Sequence, residues 1–116
     1  MARHVFVVFS EPAEGQEAEY NEWYSNQHIF DLLKVPGIVR ASRYKLVEGM
    51  TTSTGPNASP AAPSGQKYLA LYEIEAEDPS YIPAAISELG RSGQMPLSTA
   101  LSNVNRGYFT MIASTD

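Results

Sequence analysis

The stretch Tyr20-Asn-Glu-Trp-Tyr-Ser-Asn-Gln-His-Ile-Phe-Asp-Leu-Leu-Lys-Val-Pro-Gly37 places aromatics, a histidine and an aspartate on one helix and then stops it with Pro36-Gly37. Tyr20, Tyr24, His28 and Asp31 follow one another at intervals of four, four and three residues. That spacing aligns them along one side of an α-helix. A helix ordinarily turns aliphatic side chains toward its core. This one turns hydroxyls, an imidazole and a carboxylate toward a face that also carries Trp23, Leu32 and Val35. Either the core is unusually polar or a cavity lies beneath the helix.

Outward from this segment, the pattern predicts one long helix over residues 14–35, acidic at its start and with Lys34 near its end, as the helix dipole favours. Before it, Val5 to Phe9 is a β-branched and aromatic run that reads as a central strand buried on both faces. After it, Ile38 to Val47 reads as a strand with Ile38, Arg40, Ser42, Tyr44 and Leu46 on one face. Lys67 to Ala76 is a third strand, with Tyr68, Ala70, Tyr72 and Ile74 together. Asp78-Pro79 has the form of an N-cap followed by a first-turn proline, and opens a helix to about Leu89 that buries Ile82, Ala85, Ile86 and Leu89. Residues 90–105 read as irregular with a short helical turn. Arg106 to Ser114 reads as the last strand, with Tyr108, Thr110 and Ile112 alternating against Phe109 and Met111.

The order β-α-β-β-α-β predicts an α+β, ferredoxin-like fold: a four-stranded antiparallel sheet with both helices on one face. Nothing in the chain covers the other face, although the strands carry apolar residues on both sides. A second copy packed sheet to sheet around a two-fold axis would cover it, so a homodimer is expected.

Residues 48–66 differ in kind: they are rich in Gly, Pro, Ser and Thr and hold almost no large apolar residue. They read as a flexible loop inserted between two strands, more an insertion than a lid. With 116 residues the chain is expected to form a single domain over 1–116. A net charge of -5 and eight scattered basic residues argue against nucleic acid and anionic membranes as partners. No apolar run approaches the ~20 residues of a membrane span, and residues 1–9 are too short in apolar content for a signal segment, which makes the cytoplasm the expected location. There is no cysteine, hence no disulfide and no thiolate ligand or nucleophile.

The helix Tyr20-Asn-Glu-Trp-Tyr-Ser-Asn-Gln-His-Ile, followed by Val35-Pro36-Gly37-Ile38-Val39 and Arg43-Tyr44, together with Tyr68-Leu-Ala-Leu-Tyr-Glu-Ile, resembles the EthD-like branch of the dimeric α+β barrel superfamily. The resemblance covers about residues 4–47 and 67–113. It implies a sheet-to-sheet dimer, and a superfamily that holds polyketide cyclases, muconolactone isomerases, cofactor-free monooxygenases and haem-handling proteins. It implies that His28 is the helix histidine facing the space between helix and sheet, with Trp23 and Tyr24 as the aromatic pair before it. Where such relatives often have Leu-Pro-Asp after the histidine, this chain has Ile29-Phe30-Asp31, which predicts a straighter helix.

His28 is the leading candidate for chemistry. An imidazole near its ordinary pKa of about 6.5 exchanges protons at neutral pH, and Tyr24 and Asp31 lie within a helical turn of it to orient the ring. The alternative is a half-buried histidine that ties helix to sheet. Tyr44, Tyr72 and Tyr108 are candidate donors to a carbonyl or enolate oxygen, or amphipathic core residues with a wet tip. Trp23 is a candidate stacking surface, or packing. No metal site is expected: only His4 and His28 are available, and His28 with Asp31 or Glu17 falls short of a ligand set. No phosphate loop, nucleophile elbow, flavin or nicotinamide fingerprint occurs, so no cofactor is expected.

Two function classes remain open. One is a small cofactor-independent enzyme acting on a hydrophobic, aromatic or polyketide-like molecule by His28 acid/base chemistry of isomerase, cyclase, decarboxylase or monooxygenase type. The other is a non-catalytic ligand-binding or accessory dimer. A vestigial pocket in a purely structural module is the third possibility.

Overall fold

A computed structural model of the chain describes residues 2–50 and 61–116. Strand β1, Arg3–Pro12, lies between β3, Tyr68–Glu75, and β4, Leu101–Thr110, while β2, Ile38–Lys45, is the edge strand beyond β3. All pairings are antiparallel and the order is β2-β3-β1-β4. This is the ferredoxin-like α+β arrangement, and β1 is central as its apolar run requires.

Period-two alternation sets the two faces. His4, Phe6, Val8 and Ser10 of β1 are buried together with Tyr68, Ala70, Tyr72 and Ile74 of β3. The opposite residues Val5, Val7, Phe9, Leu69 and Leu71 are only half-buried. Phe109 and Tyr44 on that open face are 60% and 53% exposed.

The first helical segment departs from a continuous α-helix. Residues Glu17–Trp23 form α1, Tyr24–His28 form a π-helical turn, and Ile29–Leu32 form α2. The Ile29 N–H donates to the Tyr24 carbonyl, an i→i+5 bond. Loss of the proline therefore does not yield the straighter helix that the comparison with relatives implies; the segment widens at the aromatic-histidine stretch instead. Tyr20, Tyr24, His28 and Asp31 are nevertheless all buried. The chain leaves α2 through Pro36-Gly37, with Gly37 at φ 98°, a conformation that favours glycine. The Tyr81 hydroxyl donates to the Pro36 carbonyl at 2.5 Å.

Asp78 caps the second helical segment as its sequence indicates, accepting from the Ser80 N–H at 2.9 Å. A 3₁₀ turn, Pro79–Tyr81, leads into α3, Ile82–Arg91, which buries Ile82 and packs Ala85, Ile86 and Leu89 on the core.

Two boundaries move. Strand β4 begins at Leu101 rather than Arg106, because Leu101, Ser102 and Asn105 still pair with β1 across an irregularity between Phe9 and Glu11. In β2 a bulge between Ile38 and Arg40 shifts the register, so Ile38 faces the helices while Arg40, Ser42 and Tyr44 turn to the open face. Ala41, Arg43 and Lys45 take the inner face opposite Tyr72, Ala70 and Tyr68.

Much of the predicted flexible loop, residues 51–60, lies outside the described residues. Its C-terminal part is anchored, contrary to expectation: Ala62 and Gln66 are buried, and Gln66 Nε2 donates to Asn105 Oδ1 at 2.5 Å and to the Asn103 carbonyl at 3.1 Å. Among the described residues no helix is long and apolar enough to cross a membrane.

Candidate functional site

Between the helical layer and the inner face of the sheet lies a cavity of about 550 Å³. The first helical segment contributes Tyr24, His28 and Leu32 to its wall. The sheet contributes Phe6, Val8, Tyr72, Arg106 and Tyr108. Helix α3 and the connection after it close the rest with Ile86, Ser87, Arg91, Met95 and Leu97. The volume and the largely apolar wall are those of a site for a drug-sized molecule.

His28 sits in this wall with its ring held from two directions. The Trp23 indole stacks on it at 4.4 Å between centroids, and Tyr24 meets it edge-on at 5.1 Å. Trp23 is itself fixed by donating Nε1–H to the Pro96 carbonyl at 3.0 Å. The His28 Nδ1 is buried without a hydrogen-bond partner among the described residues. Burial lowers the His28 pKa to about 4, with Arg106 pushing the same way and Asp31 opposing. The imidazole is therefore neutral at neutral pH.

The tyrosines around it keep their protons. Burial raises the Tyr24 pKa to about 12. It raises that of Tyr72 further, with the adjacent Tyr24 adding to the effect. The Tyr72 hydroxyl is also buried and unpaired among the described residues. Tyr108 stacks on Phe6 at 4.3 Å, and its pKa is raised by burial against the opposing effect of Arg106. Orphaned polar atoms of this kind cost about 1–3 kcal/mol each, and native structures hold few of them.

Of the residues singled out from sequence, His28, Tyr24, Tyr72 and Tyr108 thus meet at one cavity. Trp23 backs the His28 ring. Asp31 lies behind it, with Oδ1 3.1 Å from Lys34 Nζ and Oδ2 buried and unpaired. Tyr44 does not join them: the β2 bulge turns it to the open face. The other histidine, His4, is structural. Its Nε2 donates to the Ala76 carbonyl at 2.9 Å, so its Nδ1 accepts from the Thr110 hydroxyl at 3.0 Å. Among the described residues no three His, Asp or Glu side chains converge as metal ligands would.

Two arginines escaped the reading of the sequence. Arg43, brought inside by the bulge, lies over the rings of Tyr24, Tyr20 and Tyr68 at 4.5, 5.2 and 5.3 Å. Its Nη1 donates to Ser25 Oγ at 2.8 Å, and its Nη2 is buried without a partner among the described residues. Arg106 lies on the inner face of β4 opposite Val8, one alternation from Tyr108. The period-two pairing of Arg106 with Tyr108 was a usable signal for it.

Comparison with solved structures agrees with this architecture. SnoaB, a cofactor-independent oxygenase from Streptomyces nogalater crystallised in a mutant form, matches over 97% of this chain and 96% of its own, with TM-score 0.60 and 17% identity. A Shewanella loihica protein provisionally termed a monooxygenase matches over 98% and 99%, with TM-score 0.60 and 10% identity. An EthD family protein from Bacillus halodurans matches over 92% and 97%, with TM-score 0.51 and 19% identity.

The fold shared with these structures is the ferredoxin-like α+β arrangement.

At these identities the likeness establishes the fold of the chain and leaves the chemistry to the site. The resemblance carried by the Trp23-Tyr24, His28 and Val35-Pro36-Gly37 pattern holds at that level. No protein-family model and no curated protein matches the sequence.

Proposed function

We propose that this protein is a small cofactor-independent enzyme that binds a hydrophobic, aromatic or polyketide-like molecule in the cavity and uses His28 as its base. The observation that carries this reading is a neutral imidazole in the wall of an apolar cavity, its buried Nδ1 without a hydrogen-bond partner among the described residues, beside tyrosine hydroxyls that remain protonated. The imidazole takes a proton from an acidic C–H or O–H of the ligand. The electron pair stays on the ligand as an enolate or phenolate, which accepts hydrogen bonds from Tyr72 and Tyr108, and the imidazolium returns the proton later. Isomerisation, cyclisation and oxygenation by dioxygen diverge from that anion, and a decarboxylation reaches it by loss of carbon dioxide. Two of the structurally similar proteins are termed an oxygenase and a monooxygenase, which favours the oxygenation branch.

The test is a thermal-shift screen of phenolic and keto compounds, followed by assay of each hit for conversion with and without dioxygen. A ligand at a hundredfold its Kd stabilises by about 2.7 kcal/mol, well within detection. His28→Gln is expected to bind the same hits and to lose conversion. Hits that bind but are never converted favour the second reading, a non-catalytic ligand carrier. A screen without hits removes both.

The same proposal includes a homodimer formed through the open sheet face, where Val5, Val7, Phe9, Leu69 and Leu71 are half-buried and Phe109 is exposed. An obligate interface there should bury more than roughly 2,000 Å². Light scattering at micromolar concentration is expected to give twice the chain mass, and a stable monomer would refute the dimer. The cytoplasm is its proposed compartment.

A further inference from the structure

The wall of the cavity carries cations and no carboxylate. Its titratable groups are Tyr24, His28, Tyr72, Tyr108, Arg91 and Arg106. Arg91 is neutralised by an ion pair with Glu88. Arg106 has no acidic partner among the described residues, and residues 51–60 contain no Asp or Glu that could supply one. Its charge is nevertheless felt at the site, at both His28 and Tyr108. The chain as a whole is acidic, with net charge -5, so its general field repels anions. An uncompensated guanidinium at the edge of an apolar cavity, on such a chain, creates a local exception of one sign. Guanidinium groups are suited to planar carboxylates and to the oxygens of an acidic enol, with which they form paired charge-assisted hydrogen bonds.

We infer that the ligand is an apolar ring system bearing an anionic oxygen group, and that Arg106 is the residue that selects for that group. The ring system fills the space against Phe6, Val8 and Leu32. The anionic group sits at Arg106, on the inner face of β4 at the solvent-exposed rim of the cavity, where it stays partly hydrated. This inference rests on the cavity being a ligand site, as proposed above, and adds the charge of what enters it.

Trp23 is the single tryptophan of the chain and stacks on His28, so its emission reports occupancy of the cavity without a label. The probes are 2-naphthoate, its neutral methyl ester and anthrone, whose acidic C–H gives an enolate in place of a carboxylate. The wild type is expected to bind 2-naphthoate at least about tenfold more tightly than the ester, as a charge-assisted hydrogen bond allows. Arg106→Gln should erase that preference while leaving the affinity for the ester unchanged. Arg40→Gln removes an equal charge from the open sheet face and should leave the preference intact. If anthrone gains over the ester only at pH values where it ionises, and loses that gain in Arg106→Gln, the acidic enol is the group selected. Equal binding of acid and ester by the wild type, or a preference that survives in Arg106→Gln, overturns the assignment of Arg106 and leaves the cavity reading standing. If none of the three probes binds wild type or variants, the cavity reading itself fails and this inference falls with it. Thermal melts of Arg106→Gln check that the variant is folded, as an exposed strand position predicts.

Discussion

The imidazole of His28 lies against the indole of Trp23, with centroids 4.4 Å apart and ring planes inclined by 26°. The contact joins the proposed base to a side chain that is anchored by its hydrogen bond to the Pro96 carbonyl. Burial of the ring makes the protonation of His28 a matter of folding as well as of chemistry.

In the fold His28 holds its proton only below about pH 4, whereas in the unfolded chain it takes one up near 6.5. Between those values the unfolded state binds more protons, so stability falls as pH falls through this window. The groups facing the ring are Asp31, which opposes the shift, and Arg106, which reinforces it, with the phenols of Tyr24 and Tyr72 uncharged throughout. Urea melts at roughly pH 7.5 and roughly pH 5 are expected to differ by about 2 kcal/mol more in the wild type than in His28→Gln. Equal differences would mean that the ring is far better solvated than its surroundings indicate.

Arg43 should be worth more to the fold than a surface arginine. Its guanidinium covers three tyrosine rings, and Arg43→Met keeps the stem while removing the cation. A loss of about 1–2 kcal/mol is expected in denaturant melts, with little recovery in Arg43→Lys, since an ammonium lacks the planar stacking surface.

Arg43 also shows where the sequence stops being legible. Strands β1 and β3, the Asp78 cap, the Pro36-Gly37 stop and the buried stripe from Tyr20 to Asp31 follow from periodicity and local chemistry alone. The face assignment in β2 does not. A bulge depends on how β2 pairs with β3, a partner about thirty residues away, and one shifted residue exchanges inside and outside. Arg43 and Tyr44 changed places for that reason. Arg106 was legible by its alternation with Tyr108; what the sequence did not show is that β4 reaches back to Leu101, because residues 102–105 owe their strand character to pairing with β1 and not to their own pattern.

Ser10→Ala should cost about 1 kcal/mol. The Ser10 hydroxyl and the Tyr20 hydroxyl lie 2.7 Å apart, and Tyr20 is fully enclosed, so the phenol would lose this partner. Thermal melts of Ser10→Ala and Tyr20→Phe, alone and combined, should show the double variant losing less than the sum.

Gly37 and Tyr81 should prove coupled. A Cβ at Gly37 would collide with the Tyr81 hydroxyl, and φ of 98° is strained for any other residue. Gly37→Ala is expected to destabilise by more than about 2 kcal/mol, and Tyr81→Phe by about 1 kcal/mol through the lost bond to Pro36. The double variant should again cost less than the sum, because removing the hydroxyl removes the collision. Strict additivity in melting experiments would show that the backbone strain alone sets the cost.

The π turn at Tyr24–His28 holds one more residue than an α-helical turn could use. Removing a single residue there would let the segment wind as an ordinary helix and would swing everything after it by about 100° relative to everything before it. Tyr24 opens that joint, His28 closes it and Leu32 follows it, so the side chains this segment gives to the cavity wall are indexed to each other by chain length. Homologous chains with one residue fewer in this turn should therefore present a different set of side chains to the sheet, and with it a different ligand, even where every residue type has been kept.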